Sequence, residues 1–234
     1  MRKRTFAIVA LLLTVIITAA FTLMGMVLTV FAAYPLTKKE LKGRGAIAFM
    51  FMFTMYFSGG LIPDFLLMND LGIFNTLWSL VLPLAFSAYN IIIMRSFIEA
   101  SIPVSLEEAA FLDGASYWGV LFRVVIPLSK PVLATVALWV IVGHWNDYLN
   151  PLVLISSRAN QTLQLQLKSL VLAAESSTSN LSTLSQTTDH KGVAALSTQV
   201  KNAVLVVSMI PMLVIYPFIQ RFFVSGVMLG SVKG

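Results

Sequence analysis

The chain has 234 residues, 58% of them hydrophobic and 11% charged, with a mean hydropathy of +0.86; a soluble domain carries roughly a quarter charged residues, so water is excluded as its main solvent. The formal net charge of +6 comes from Lys and Arg beside the ends of apolar runs, with no continuous basic face, which argues against a nucleic-acid partner and for orientation in a bilayer. The absence of Cys excludes a disulfide framework, a thiolate nucleophile and a Cys-ligated metal.

A hydrocarbon core of about 30 Å requires about 20 apolar residues wound as helix, because lipid cannot satisfy backbone N–H and C=O groups. Five stretches qualify and predict an all-α, single-domain membrane protein over residues 1–234: 6–34, 46–67 with a Gly-rich break near its end, 73–97, 132–155 and 203–223. The loop 38–44 holds Lys38, Lys39, Lys42 and Arg44, and the positive-inside rule places it in the cytoplasm. Alternation then puts 64–70 outside, 99–130 inside, 156–200 outside and the tail 220–234 inside. It also puts the N-terminus outside, where the basic run Arg2, Lys3 and Arg4 does not belong. The expected explanation is a missing first span; a cleaved signal is disfavoured, since the apolar run is nearly twice the usual length of about 7–15 residues. In the outer segment, Leu163, Leu165 and Leu167 alternate with polar residues and then drift towards a helical period, while 175–191 is Ser/Thr-rich and reads as a flexible loop.

The segment 103–127, between the third and fourth spans, carries the clearest local signals. Ser105 with Glu108 three residues later forms a capping box that starts a short helix. Gly114 suits the left-handed residue that ends it, and Ser116 suits the cap of a second short helix that stops before Pro127. Ala109 and Ala110 allow close approach by another surface. A helix lying on lipid headgroups would favour Lys and Arg, whereas this one carries Glu107, Glu108 and Asp113 with only Arg123 near its end, so a protein partner with basic residues fits better.

Polar groups at membrane depth belong in a bundle interior or an aqueous cavity. The fourth span holds the richest set: Trp139, His144, Trp145, Asn146, Asp147, Tyr148 and Asn150, with Asn146 and Asn150 expected on one helical face. Asn90 and Ser87 in the third span are further candidates. Aromatic faces combined with amide and carboxylate hydrogen bonds suit a pathway for a neutral polyol. The plainer reading is interhelical hydrogen bonding, which contributes about 0.6 kcal/mol per contact. Tyr216 and Phe222 suit an interfacial aromatic belt.

Glu108-Ala109-Ala110, Gly114 and Val124-x-Ile126-Pro127 resemble the cytoplasmic coupling motif of bacterial ABC-importer permeases. Gly59-Gly60-Leu61-Ile62-Pro63, Asn75-Thr76-Leu77-Trp78, Gly143-His144-Trp145-Asn146, Tyr216-Pro217 and the tail 226–234 extend the similarity over nearly the whole chain, to the complex-carbohydrate branch of the maltose-permease-like group. The resemblance implies a type I importer core of five helices with a coupling helix, members of the group usually having six spans. It also implies a bacterial cytoplasmic membrane setting, a second permease as heterodimer partner, two cytoplasmic ATPases that bind ATP and Mg, an extracytoplasmic solute-binding protein and a sugar-polymer or oligosaccharide cargo. No phosphate-binding Gly-x-x-x-x-Gly-Lys-Ser/Thr loop is present, and His144 and His190 are too far apart in sequence to suggest a metal or catalytic pair. Other readings are a permease for an amino acid or ion, an ion-coupled secondary transporter using Asp147, and a membrane enzyme, for which no reactive constellation stands out.

Overall fold

In the computed structural model, which describes residues 2–83, 85–184, 198–199, 201–211, 213–214 and 216–217, the first apolar run is one unbroken helix, α1 (Arg2–Thr37). Nothing interrupts its backbone ladder until Pro35 in the last turn. Its segment Ile8–Thr37 is, among the described residues, the one helix that is long and apolar enough to cross a bilayer unaided. No strand occurs among the described residues.

The remaining expected spans are broken. The second divides at Ser58 to Gly60 into α2 (Arg44–Tyr56) and α3 (Leu61–Asp70), bent by 113°. The third is reduced to a single turn, α4 (Trp78–Val81), and a 14-residue helix, α5 (Ala88–Ser101). Pro83 lies in the gap between them, and Ser87 restarts the helix by accepting a hydrogen bond from the Asn90 N–H at 3.4 Å.

After α5 follow α6 (Val104–Leu112) and α7 (Tyr117–Val120), a π-turn over Leu121–Val125, and α8 (Ile126–Leu128). The helix therefore does not stop before Pro127. The ring sits in the first turn of α8, where a missing N–H is tolerated, and the wider π-turn bridges to it through Ile126 N–H and Leu121 C=O.

The fourth expected span forms α9 (Lys130–Asn146) and α10 (Leu149–Leu154), separated by an extended Asp147. Of the expected flexible stretch 175–191, the described part to residue 184 is helical: α11 (Leu163–Leu184) begins with Leu163, Leu165 and Leu167 all buried, which accounts for their strand-like spacing. Residues 185–197, with His190, and 218–234, with Phe222 and the tail motif, lie outside the described residues. Of the fifth expected span, α12 (Lys201–Pro211) is described; Lys201 pairs with Glu175 of α11 at 2.8 Å.

α1 packs against both α5 and α9. Ala33, Ile91, Met94, Ile98, Val120, Leu121, Val125 and Val136 form one buried cluster, and Ile17, Phe21, Leu80, Leu154 and Ile155 a second. Above the second cluster Asn75, at φ 59°, acts as a clasp. Its Oδ1 accepts from the backbone N–H groups of Ser156 (3.0 Å) and Ser157 (2.8 Å), and its own N–H donates to Leu154 C=O.

Asn75→Gly removes the side-chain bonds but keeps the backbone unstrained, whereas Asn75→Ala also leaves a Cβ in the left-handed region, a further cost of about 1–2 kcal/mol. Thermal unfolding of the detergent-solubilised protein should rank wild type above Asn75→Gly and Asn75→Ala lowest. Equal midpoints for all three would show that the clasp carries no load.

Candidate functional site

Two places gather the residues singled out in sequence. The first is a cavity of about 760 Å³ where the breaks before α5 and after α9 meet α1. Asn90, His144, Asn146, Asp147 and Asn150 all line it, with Ser87, and with Phe21, Phe86, Tyr89 and Trp139 as its aromatic walls.

Asp147 shapes the turn that makes this possible. Its Oδ1 accepts from the N–H groups of Leu149 (3.1 Å) and Asn150 (3.2 Å), and its Oδ2 accepts from the Asn150 amide at 2.8 Å. Asn146 and Asn150 thus do not share a continuous helical face; they reach one cavity from opposite sides of the break. The Asn146 amide donates to Val142 C=O at 2.9 Å, which leaves its carbonyl oxygen available. His144 stacks on Phe21 with centroids 4.4 Å apart and planes 16° apart, and its buried Nδ1 has no partner among the described residues. Tyr89 and Trp139, both nearly half exposed, stand 5.8 Å apart by centroid on the wall.

Trp145 is not in this lining. It is 2% exposed, donates its indole N–H to Ser208 C=O at 3.1 Å and packs on Leu163 and Leu167, so it joins α9 to α11 and α12. Phe21, Phe86 and Tyr89 were not singled out in sequence. Tyr89 beside Asn90 and Phe86 beside Ser87 were weak local signals, whereas Phe21 comes from another helix and gave none.

The second place is the α6–α7 elbow. Gly114 has φ +82°, and the Gly114 and Ala115 N–H groups bond to the Phe111 and Ala110 carbonyls, each at 3.0 Å, closing a Schellman motif. Ser116 accepts from the Gly119 N–H at 3.2 Å and starts α7. The expected capping box is absent. α6 begins at Val104 behind Pro103, whose φ of −61° and ψ of 136° already set the entry, and Ser105 makes no side-chain cap bond.

The acidic residues divide between two tasks. Glu107 is buried and paired with Lys38 at the end of α1, so it is not offered outward. Burial pulls the Lys38 pKa down, and nearby Glu40 opposes that. Glu108, Ala109 and Asp113 are exposed, and Leu112 at 89% exposure projects between them. Ala110 faces inward against the core, and Arg123 is exposed on the π-turn.

A sequence model of the family described as the binding-protein-dependent transport system inner membrane component matches residues 5–229. The chain belongs to this family. It is 39% identical over 225 residues to the polygalacturonan/rhamnogalacturonan transport system permease protein YtcP of Bacillus subtilis, covering 96% of this chain and 77% of that one. To the protein LplC of the same organism it is 38% identical, covering 94% and 72%. Among solved structures, a chain of a bacterial ABC transporter that imports the acidic polysaccharide alginate superposes with a TM-score of 0.78 at 33% identity, covering 93% of this chain and 75% of that one. The all-helical architecture is that of a type I ABC-importer permease, and the chain is the inner-membrane transport component of such an importer.

Within this permease, cysteines placed at Asn146 and Asn150 should react with a polar thiol reagent, while cysteines at Val136 and Trp145, 1% and 2% exposed, should not. The natural chain contributes no background thiol. Labelling followed by mass spectrometry reads the result, and uniform protection at 146 and 150 would make the cavity a dry interhelical gap.

Proposed function

We propose that this permease pairs with a second permease to move an oligosaccharide or polysaccharide across the bacterial cytoplasmic membrane as a multi-pass subunit. An external solute-binding protein delivers the cargo, and two cytoplasmic subunits bind the ATP and Mg that drive the cycle; the chain holds no ATPase site or cofactor of its own. The observation that carries the reading is the elbow at Gly114. Exposed Leu112 rimmed by Glu108 and Asp113, with the small Ala109 alongside, is a projecting apolar tip with acidic edges, a shape that enters a cleft with basic walls. Ala110 and Glu107 secure it from behind, and Arg123 lies on its outer flank.

A carbohydrate cargo is supported by the relatives above and by the cavity. Amide, hydroxyl, imidazole and carboxylate groups share its surface with aromatic faces, so hydroxyl-rich molecules find both donors and acceptors there. An ion-coupled mechanism would depend on Asp147, but its carboxylate already accepts three hydrogen bonds that hold the α9–α10 turn.

Replacing Gly114 should uncouple the two halves of the cycle. A Cβ there meets nothing within 4 Å, so the effect acts through the backbone, where a left-handed residue with a side chain costs about 1–2 kcal/mol. In proteoliposomes of the assembled transporter, Gly114→Leu should retain ATP hydrolysis while sugar uptake per ATP falls roughly tenfold, with Gly114→Ala intermediate. Uptake per ATP at the wild-type level with Gly114→Leu would sink the docking role.

A further inference from the structure

A second cavity, of about 330 Å³, lies apart from the pathway, between the cytoplasmic end of α1 and the helices after Gly114. Phe31, Tyr34, Trp118 and Leu121 form its apolar walls, and Lys38 and Glu40 its polar end. Tyr34 is 5% exposed, yet among the described residues its hydroxyl has no hydrogen-bond partner. Buried hydroxyls nearly always find one, so this donor calls for a group that the described residues do not supply. The Lys38 ammonium stands 4.4 Å from the centre of the Tyr34 ring and gives one of its three N–H bonds to Glu107.

The opposite end is open and greasy. Trp118 is 62% exposed and meets Phe31 edge-on at 5.6 Å. From Phe31, exposed Val27 and Leu23 continue at four-residue spacing along α1, a ridge of about 12 Å. The polar end adjoins the basic loop 38–44, which the positive-inside rule places at the cytoplasmic headgroups, where Tyr and Trp concentrate. A cavity with a hydrogen-bonding end and an apolar track is complementary to an amphipathic molecule.

We propose that this cavity holds a membrane phospholipid with a phosphoethanolamine headgroup. The phosphate accepts from the Tyr34 hydroxyl and the Lys38 ammonium, the headgroup ammonium faces Glu40, and one acyl chain follows Phe31, Val27 and Leu23. Charge selects the headgroup. Lys38, Glu107 and Glu40 together carry one net negative charge, so an anionic lipid would add a second, whereas a zwitterion adds none and its ammonium can face Glu40. The lipid braces the coupling elbow against α1, because Trp118 follows Gly114 closely and Lys38 holds Glu107.

The test is native mass spectrometry of the assembled transporter, taken from bilayers of equal phosphatidylethanolamine, phosphatidylglycerol and phosphatidylcholine. Tyr34→Phe keeps the ring and deletes only the donor; it should lower occupancy by one phosphatidylethanolamine at least about tenfold, as expected for losing a hydrogen bond to a charged group. Glu40→Gln should shift the retained lipid towards phosphatidylglycerol. Should Tyr34→Phe fail to assemble, phosphatidylethanolamine with brominated acyl chains decides the matter in otherwise wild-type protein: it should quench Trp fluorescence, and Trp118→Phe should remove that increment. Unchanged phosphatidylethanolamine in Tyr34→Phe, a wild-type preference for phosphatidylglycerol, or a Trp118→Cys crosslink to the partner permease, showing that protein covers the groove, would each overturn the proposal.

Discussion

Small residues along one stripe of α1 set how closely α5 and α9 can approach it. Ala10, Thr14, Thr18, Gly25, Thr29 and Ala33 recur at mostly four-residue spacing and are all buried. A Cβ on Gly25 would stand 3.3 Å from the Ala85 carbonyl, tighter than most such contacts. Lipid gives helices no hydrophobic reason to associate, so close van der Waals packing of this kind carries the assembly. One threonine of the stripe also ties elements together: Thr14 donates to Ala10 C=O at 2.7 Å and accepts the Leu163 N–H at 2.8 Å, which joins the start of α11 to α1. Cavity and coupling elbow alike are built from helices positioned by that stripe.

Non-helical backbone at membrane depth is tolerated only where it is buried in protein or lines a wet cavity. The breaks obey this rule. Ser87 caps the restart of α5, Asp147 caps the restart of α10, and both line the same space. Broken helices create the polar site, because each break needs a side chain to satisfy freed N–H groups, and those side chains bring hydrogen-bonding capacity to the cavity. A reading that treats 73–97 or 132–155 as unbroken spans therefore goes wrong at the residues that line the cavity.

What the sequence made legible follows from the range of the interactions. Gly114 and Ser116 act within four residues of themselves, so their roles could be read from local spacing. Ser105 could be misread because Pro103, two residues earlier, competes for the same cap and wins by its preset φ. The inward turn of Glu107 depends on Lys38, 69 residues away, and nothing near Glu107 signals it. Asn90, His144, Asn146, Asp147 and Asn150 were recognisable by the rarity of such groups in apolar runs. Phe21 and the divergent direction of Trp145 were not, since only the packing of α1 and α11 against α9 decides which aromatic faces the cavity. The start of α11 shows the same limit: three alternating leucines look like a strand until neighbours from different elements bury all three.

The same packing gives the elbow a mechanical route to the cavity. Val120, Leu121 and Val125 are 0–1% exposed and sit among Met94, Ile98 and Ala33, so the segment behind Leu112 is embedded in the bundle core. Beyond it Ser129, fully buried, marks a 77° corner at which the chain turns into α9. Packed cores resist gradual deformation and move as units. A load on Leu112 therefore passes through the π-turn and the corner into α9, a rod of 17 residues, about 25 Å long, with His144 and Asn146 at its far end. The Lys38–Glu107 pair fastens the same elbow to the end of α1, 69 residues away in sequence, so elbow, α1 and the buried core form one connected unit.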